Sequence, residues 1–113
     1  MKYSEILSEV KDLYPNDYKD SQYVKWLLEL ENKIAIAKGL GVKQSLDLEK
    51  ETSVGVPFDR MYVDYVMAQV SLHQHDDESY ARYMSMFNDR FGEWQAYHIR
   101  TTPGKKLVFK NWI

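Results

Sequence analysis

The sequence contains no cysteine, so it offers neither a disulfide framework nor a thiolate nucleophile or metal ligand. It also lacks the run of about 18 apolar residues that a membrane helix needs. The first ten residues, MKYSEILSEV, lack the apolar block of a signal peptide. The net charge is only −2, which is weak evidence against a nucleic-acid-binding protein. Its 113 residues suit one small globular domain.

Motifs for catalysis and cofactor binding are also missing. There is no GxxxxGKS loop for a nucleotide, and the GLG at 39–41 is too short to indicate one. No serine lies in a nucleophile-elbow context. The one metal-like group is His73, His75, Asp76 and Asp77, but histidines two apart cannot share a helix face, so they are interpreted as polar residues at a helix end. The sequence therefore predicts no enzyme, no cofactor and no metal site.

The chain is organised around residues 56–77, where a helix with almost no polar surface is expected. Pro57 suits the first helical turn, and Asp59 can cap that turn or lie favourably at its positive end. A narrow polar stripe runs along this helix and consists of Arg60, Asp64, Ser71 and Gln74. Gln69 projects from the broad apolar side, which also includes Leu72, and is predicted to be buried and hydrogen-bonded. Such a helix must be covered by its neighbours, so it is the predicted central helix.

Three more helices are predicted, over residues 3–14, 20–38 and 78–100, with Ser4 as the cap of the first and Trp26 as a core anchor of the second. The last has the most regular apolar seam, formed by Tyr80, Met84, Phe87, Phe91, Trp94 and His98. The core between the third and fourth helices is predicted to contain Tyr62, Val66, Gln69, Phe87, Phe91 and Trp94.

Two segments fall outside this helical pattern. Residues 39–56 follow the terminating Gly39 and contain Leu46 and Leu48 in alternation, which allows a short strand or an ordered loop. Together the patterns predict an all-α fold: a small bundle of four main helices over residues 1–100, a long loop after the second helix, and an extended C-terminal arm over residues 101–113.

The arm differs in composition from the bundle, because residues 101–113 carry three lysines and no acid, whereas the preceding residues are net acidic. Its predicted partner-binding residues are Lys105, Lys106, Leu107, Val108, Phe109, Trp112 and Ile113. Three alternatives remain open: a strap folded back on its own domain, a partner-binding arm, or a disordered end.

Three segments resemble a known family: YPNDYKDSQYVKWLLELENKIA at 14–35, VPFDRMYVDYVMAQVSLHQHDDESYARY at 56–83 and MFNDRFGEWQAYHIR at 86–100. In order and spacing they are similar to the small head–tail connector (adaptor) proteins of tailed phages and prophages of Gram-positive bacteria. The resemblance covers about residues 3–100 and includes no catalytic motif.

This resemblance implies a structural virion protein, made in the host cytoplasm and located in the virion neck. It implies a helical bundle that forms a homo-oligomeric ring on the portal protein and contacts a tail-side completion protein. The ring would continue the DNA channel without sequence-specific binding, and no membrane partner is implied.

The alternative is a small helical phage or bacterial regulator that binds protein or DNA as a dimer. A helix-turn-helix protein needs a basic recognition helix. The fourth predicted helix instead balances its arginines against acids, namely Arg82, Arg90 and Arg100 against Glu78, Asp89 and Glu93. The charge pattern therefore favours the connector over a DNA-binding regulator.

Overall fold

The computed structural model describes residues 1–102, and the regular secondary structure of this part is entirely helical. The helices are α1 (Tyr3–Leu13), α2 (Asp20–Ala37), α3 (Arg60–His73) and α4 (Asp77–Thr101). The predicted all-α bundle with a long connection after α2 is confirmed. Within the described range no strand forms in that connection. Its β-type pairing there is limited to an isolated β-bridge between Glu51 and Lys2.

Helix α3 is the central helix, as predicted. It packs against α1 and α2 on one side and most extensively against α4 on the other. Seven of its side chains are almost completely inaccessible to solvent: Met61, Tyr62, Val63, Val66, Met67, Ala68 and Val70. The helix is therefore enclosed by its neighbours along most of its circumference.

The prediction for the polar residues of α3 is wrong in part. Gln69 is only partly buried and Leu72 is 43% exposed, so this face of the last turns of α3 is not fully covered. Asp64 and Ser71 are buried instead. The Ser71 hydroxyl donates to the Met67 carbonyl at 2.8 Å, which satisfies it within its own helix.

The predicted helix starts also need correction. Pro57 lies before α3, which begins at Arg60, and the Asp59 side chain makes no capping bond; its carboxylate lies 3.4 Å from the Met1 amino group. Ser4 is not a cap, because α1 already begins at Tyr3. The start of α1 is capped by backbone of the long loop instead. The Tyr3 and Ser4 amides donate to backbone carbonyls of the 39–59 connection at 3.1 and 2.9 Å.

Helix α4 forms an antiparallel pair with α3 and packs closely against no other described helix. Its start is capped by Asp76, whose carboxylate accepts from the Ser79 amide at 3.2 Å. The predicted core residues Phe87, Phe91 and Trp94 are buried, with successive ring centroids 5.4 and 5.7 Å apart. This stacked column packs the middle of α4 against the bundle.

A buried ion pair joins the two helices. Arg90 Nη1 donates to Asp64 Oδ2 at 2.6 Å, and the Asp64 side chain is only 3% exposed. Burial raises the pKa of Asp64 above its ordinary value, and the Arg90 guanidinium opposes that rise. The pair therefore joins α4 to α3, and loss of either member would leave the other without its charged partner.

The first prediction tests the aromatic column. Phe91→Ala is expected to lower the free energy of unfolding by about 3–5 kcal/mol, because it leaves a cavity between α3 and α4. Met86→Ala on the same helix is the control, since Met86 is 36% exposed; it should cost no more than about 0.5 kcal/mol. Urea denaturation measures both. Equal losses would show that the α4 register is wrong.

The second prediction tests the ion pair and its pH dependence. Arg90→Met is expected to cost about 3 kcal/mol at pH 7, because it leaves the Asp64 carboxylate buried without its cation. The variant also raises the pKa of Asp64 further, and a carboxyl with a raised folded-state pKa favours folding at low pH and loses that contribution as pH rises. The loss should therefore shrink as pH falls from 7 towards 4.

Denaturation of Arg90→Met at several pH values measures this effect. Arg82→Met is the matched control, because Arg82 is an exposed arginine on the same helix whose hydrogen bond goes only to Ser79 at 3.4 Å. A pH-independent loss in Arg90→Met would contradict a role for the Asp64 charge.

Candidate functional site

A buried carboxylate organises the part of the bundle beside the long loop. Glu31 of α2 is 3% exposed and accepts hydrogen bonds from the hydroxyls of Tyr3 and Tyr62. It also accepts from the Ser53 hydroxyl at 2.6 Å and the Ser53 amide at 3.0 Å. Tyr62 in turn accepts from the Val54 amide at 3.1 Å. One side chain thus ties α1, α3 and the loop to α2.

The two tyrosines of this network stay protonated at neutral pH. Burial raises the pKa of Tyr3 and of Tyr62 well above the ordinary value for tyrosine, and the negative charge of Glu31 adds to both shifts. Each hydroxyl therefore remains a donor to the carboxylate. The network satisfies a charge that would otherwise be costly to bury, so its role is structural.

The loop reaches Glu31 along a defined path. The side chain of Asn32 holds the Lys43 backbone by two hydrogen bonds, of 2.8 and 3.2 Å. Farther on, the Leu48 and Lys50 carbonyls accept from the first amides of α1, and the Thr52 amide donates to Met1. Residues 39–56, for which the sequence predicted a short strand or an ordered loop, therefore form an ordered loop that is held by hydrogen bonds near both ends.

The end of α2 is shaped by Gly39, which has φ 76°. The Gly39 amide donates to Ile36 at 2.9 Å and the Leu40 amide to Ala35 at 2.8 Å, which is the Schellman arrangement for ending a helix. The predicted stop at Gly39 is confirmed. Its consequence is that Leu40 leaves the helix axis and points towards α4 and the loop.

These elements enclose a groove of about 410 Å³ between the end of α2, the loop and the last turns of α4. Its apolar lining consists of Leu40, Val54, Val56, Phe58, Trp94 and Tyr97. Val54 and Trp94 are buried at its base, whereas Leu40, Val56 and Tyr97 are 60%, 83% and 45% exposed. We call this feature the α4 groove.

The chemistry of the α4 groove is apolar and aromatic with a positive edge. The Phe58 and Tyr97 rings lie 5.2 Å apart, and the Trp94 and His98 rings stack at 5.3 Å. The Lys38 ammonium lies 5.9 Å from the Trp94 ring centroid. No described lining residue is an acid. The groove is suited to binding an apolar or aromatic segment of a polypeptide.

The histidine and aspartate group at the α3–α4 junction has other roles. The His73 ring packs 5.2 Å from Trp26, and Asp76 caps α4. Trp26 is 2% exposed, which confirms it as a core anchor. Over residues 1–102, no cluster of three or more His, Cys, Asp or Glu is placed to hold a metal ion. None of the helices in the same range is long and apolar enough to cross a membrane.

The partner-binding residues predicted from the sequence lie outside the described residues; they are Lys105, Lys106, Leu107, Val108, Phe109, Trp112 and Ile113. Sequence reasoning did not find the α4 groove. The available signals were Leu40 and Val56, apolar residues beside glycines in a loop that is otherwise mostly polar, and Tyr97, which lies off the apolar seam of α4.

Comparison with protein-family models, curated proteins and solved structures finds no match to this chain.

The third prediction tests the Glu31 network. Glu31→Gln is expected to lower the free energy of unfolding by about 1.5–3 kcal/mol, because an amide cannot accept all four hydrogen bonds. Hydrogen exchange of the Ser53 and Val54 amides should become faster as the loop loosens. Glu29→Gln is the control, since Glu29 is exposed on the same helix. Unchanged exchange at both amides in Glu31→Gln would contradict this role for Glu31.

Proposed function

We propose that the protein is a structural virion component, a head–tail connector that forms a ring between the portal and a tail-side completion protein. The observation that carries the proposal is the α4 groove: the described bundle brings Leu40, Val56 and Tyr97 together in one concavity, which is a surface suited to binding a polypeptide segment. The ordered bundle around it supplies the rigid body that a ring subunit needs.

Two further features support this proposal. Met86 and Ile99 are 36% and 39% exposed on α4, and α4 packs on only one helix of the described bundle, which leaves much of its surface for neighbouring subunits. The net-acidic bundle suits a channel through which DNA slides, because strong phosphate contacts would hold the DNA. The neck of the virion is the location that this function implies.

The charges of α4 argue against the DNA-binding alternative. A recognition helix needs exposed basic residues, but Arg90 is engaged by Asp64. Arg82 and Arg100 remain exposed among Glu78, Asp89 and Glu93. We therefore infer that a dimeric regulator, if this alternative holds, contacts protein more readily than DNA.

The fourth prediction concerns assembly. The purified protein is expected to be monomeric or weakly associated alone and to form rings when mixed with the portal protein of the same phage or prophage. Sedimentation and electron microscopy measure this. A truncated chain that ends at Thr102 should fail to attach, and attachment of the full chain should weaken from low to physiological salt if lysines 105, 106 and 110 contribute.

The matched control is Lys19→Ser/Lys25→Ser, which removes exposed charge elsewhere on the bundle and should leave attachment unchanged. A tight dimer that ignores the portal and binds a specific DNA sequence would overturn the proposal in favour of the regulator.

A further inference from the structure

The exposed apolar side chains of the α4 groove make it a candidate docking surface, and the part of the chain that follows α4 is the nearest segment able to fill it. Leu40 and Val56 lie at opposite ends of the long loop and Tyr97 lies on α4, yet all three are open to solvent at the same place. Apolar surface gathered in this way gains free energy when it is covered.

We propose that, in the free subunit, the α4 groove is occupied by residues 105–113 of the same chain. The point at which α4 ends makes this possible. Trp94 and Tyr97 lie in the last turns of α4, and the helix ends at Thr101, about 10 Å beyond Trp94 at 1.5 Å per residue. Pro103-Gly104 is a turn signal directly after that end.

The reach of the segment is sufficient. Extended backbone covers about 3.3 Å per residue, so about three residues after the turn bring the chain back to Trp94. The apolar residues of the segment begin at Leu107 and continue through Phe109 to Trp112. The chain is therefore long enough for Leu107 and Phe109 to reach the groove without any rearrangement of the bundle.

The chemistry of the segment matches that of the groove. In an extended segment alternate residues face the same way, so Leu107, Phe109 and Asn111 share one side, whereas Lys106, Val108, Lys110 and Trp112 share the other. The described lining includes Lys38 but no acid, so the side with the two lysines faces solvent and Leu107 and Phe109 make the contacts. Apolar burial, rather than charge, provides the affinity.

The same chain is favoured over a second copy because of its tether. A segment joined by a short linker has an effective concentration on the order of millimolar at its own groove. At micromolar protein concentration, the groove of another subunit cannot compete. The inference goes beyond the connector proposal and does not depend on it: it concerns the free subunit, whereas attachment to the portal concerns the assembled one.

Disulfide trapping tests the inference directly, because the chain has no cysteine of its own. Val56→Cys/Asn111→Cys places one thiol on the exposed rim of the groove and one on the side of the segment that carries Leu107 and Phe109, and keeps both of these apolar anchors. Mild oxidation at micromolar concentration is expected to close an intramolecular disulfide, seen by mass spectrometry as a monomer that has lost two hydrogens.

The control pair is Leu13→Cys/Asn111→Cys. Leu13 is 55% exposed and lies at the opposite end of the molecule, because the neighbouring Tyr14 hydroxyl lies 3.5 Å from Asp76 at the start of α4. Helix α4 is about 37 Å long at 1.5 Å per residue. The intramolecular disulfide should form at least tenfold faster in Val56→Cys/Asn111→Cys than in Leu13→Cys/Asn111→Cys. Equal rates, or products that are mainly disulfide-linked dimers, would overturn the inference.

A second measurement tests the apolar anchors. Leu107→Ser/Phe109→Ser is expected to raise the fluorescence of a dye that binds apolar surface at least twofold, and to lower the melting temperature by about 4 °C or more. Lys106→Ser/Lys110→Ser, on the other side of the segment, should change neither. If both double variants behave like the wild type, the segment does not occupy the groove.

Discussion

The carboxylate of Glu31 accepts four hydrogen bonds in the interior of the bundle, and all four donors are hydroxyl or amide groups of α1, α3 and the loop. Burying a carboxylate is costly unless its acceptor sites are filled, so this arrangement is stable only when all three elements are in place. The position of the loop, and with it one wall of the α4 groove, follows from this requirement.

The apolar spacing of the sequence was sufficient to predict the four helices, the central place of α3 and the buried column of Phe87, Phe91 and Trp94, because these depend on periodicity within one helix. The cap at Ser4 was predicted wrongly, and Asp59 lies at the start of α3 as predicted but makes no capping bond. Good capping residues do not show whether backbone from a distant loop reaches the helix end first, as the loop carbonyls do at α1.

The Glu31 network and the α4 groove could not be predicted from the sequence, because both depend on contacts between residues that are far apart in the chain. Glu31 is one of several glutamates on predicted helices, and its partners lie 22 to 31 residues away in the chain. The predicted buried amide was Gln69, but the structure buries Gln95, whose Nε2 has no hydrogen-bond partner among the described residues. The α4 groove is likewise built from three separate segments, so only tertiary structure reveals it.

The attachment of α4 through α3 alone has a mechanical consequence. Its described helical contacts lie along one line, with the ion pair of Arg90 and Asp64 near the middle and Trp94 closer to the end. Because the Phe58 ring of the loop lies 5.2 Å from Tyr97, a change in the orientation of α4 on α3 would alter the groove and would leave the packing of α1 and α2 unchanged. Binding in the groove is therefore expected to be coupled to the orientation of α4.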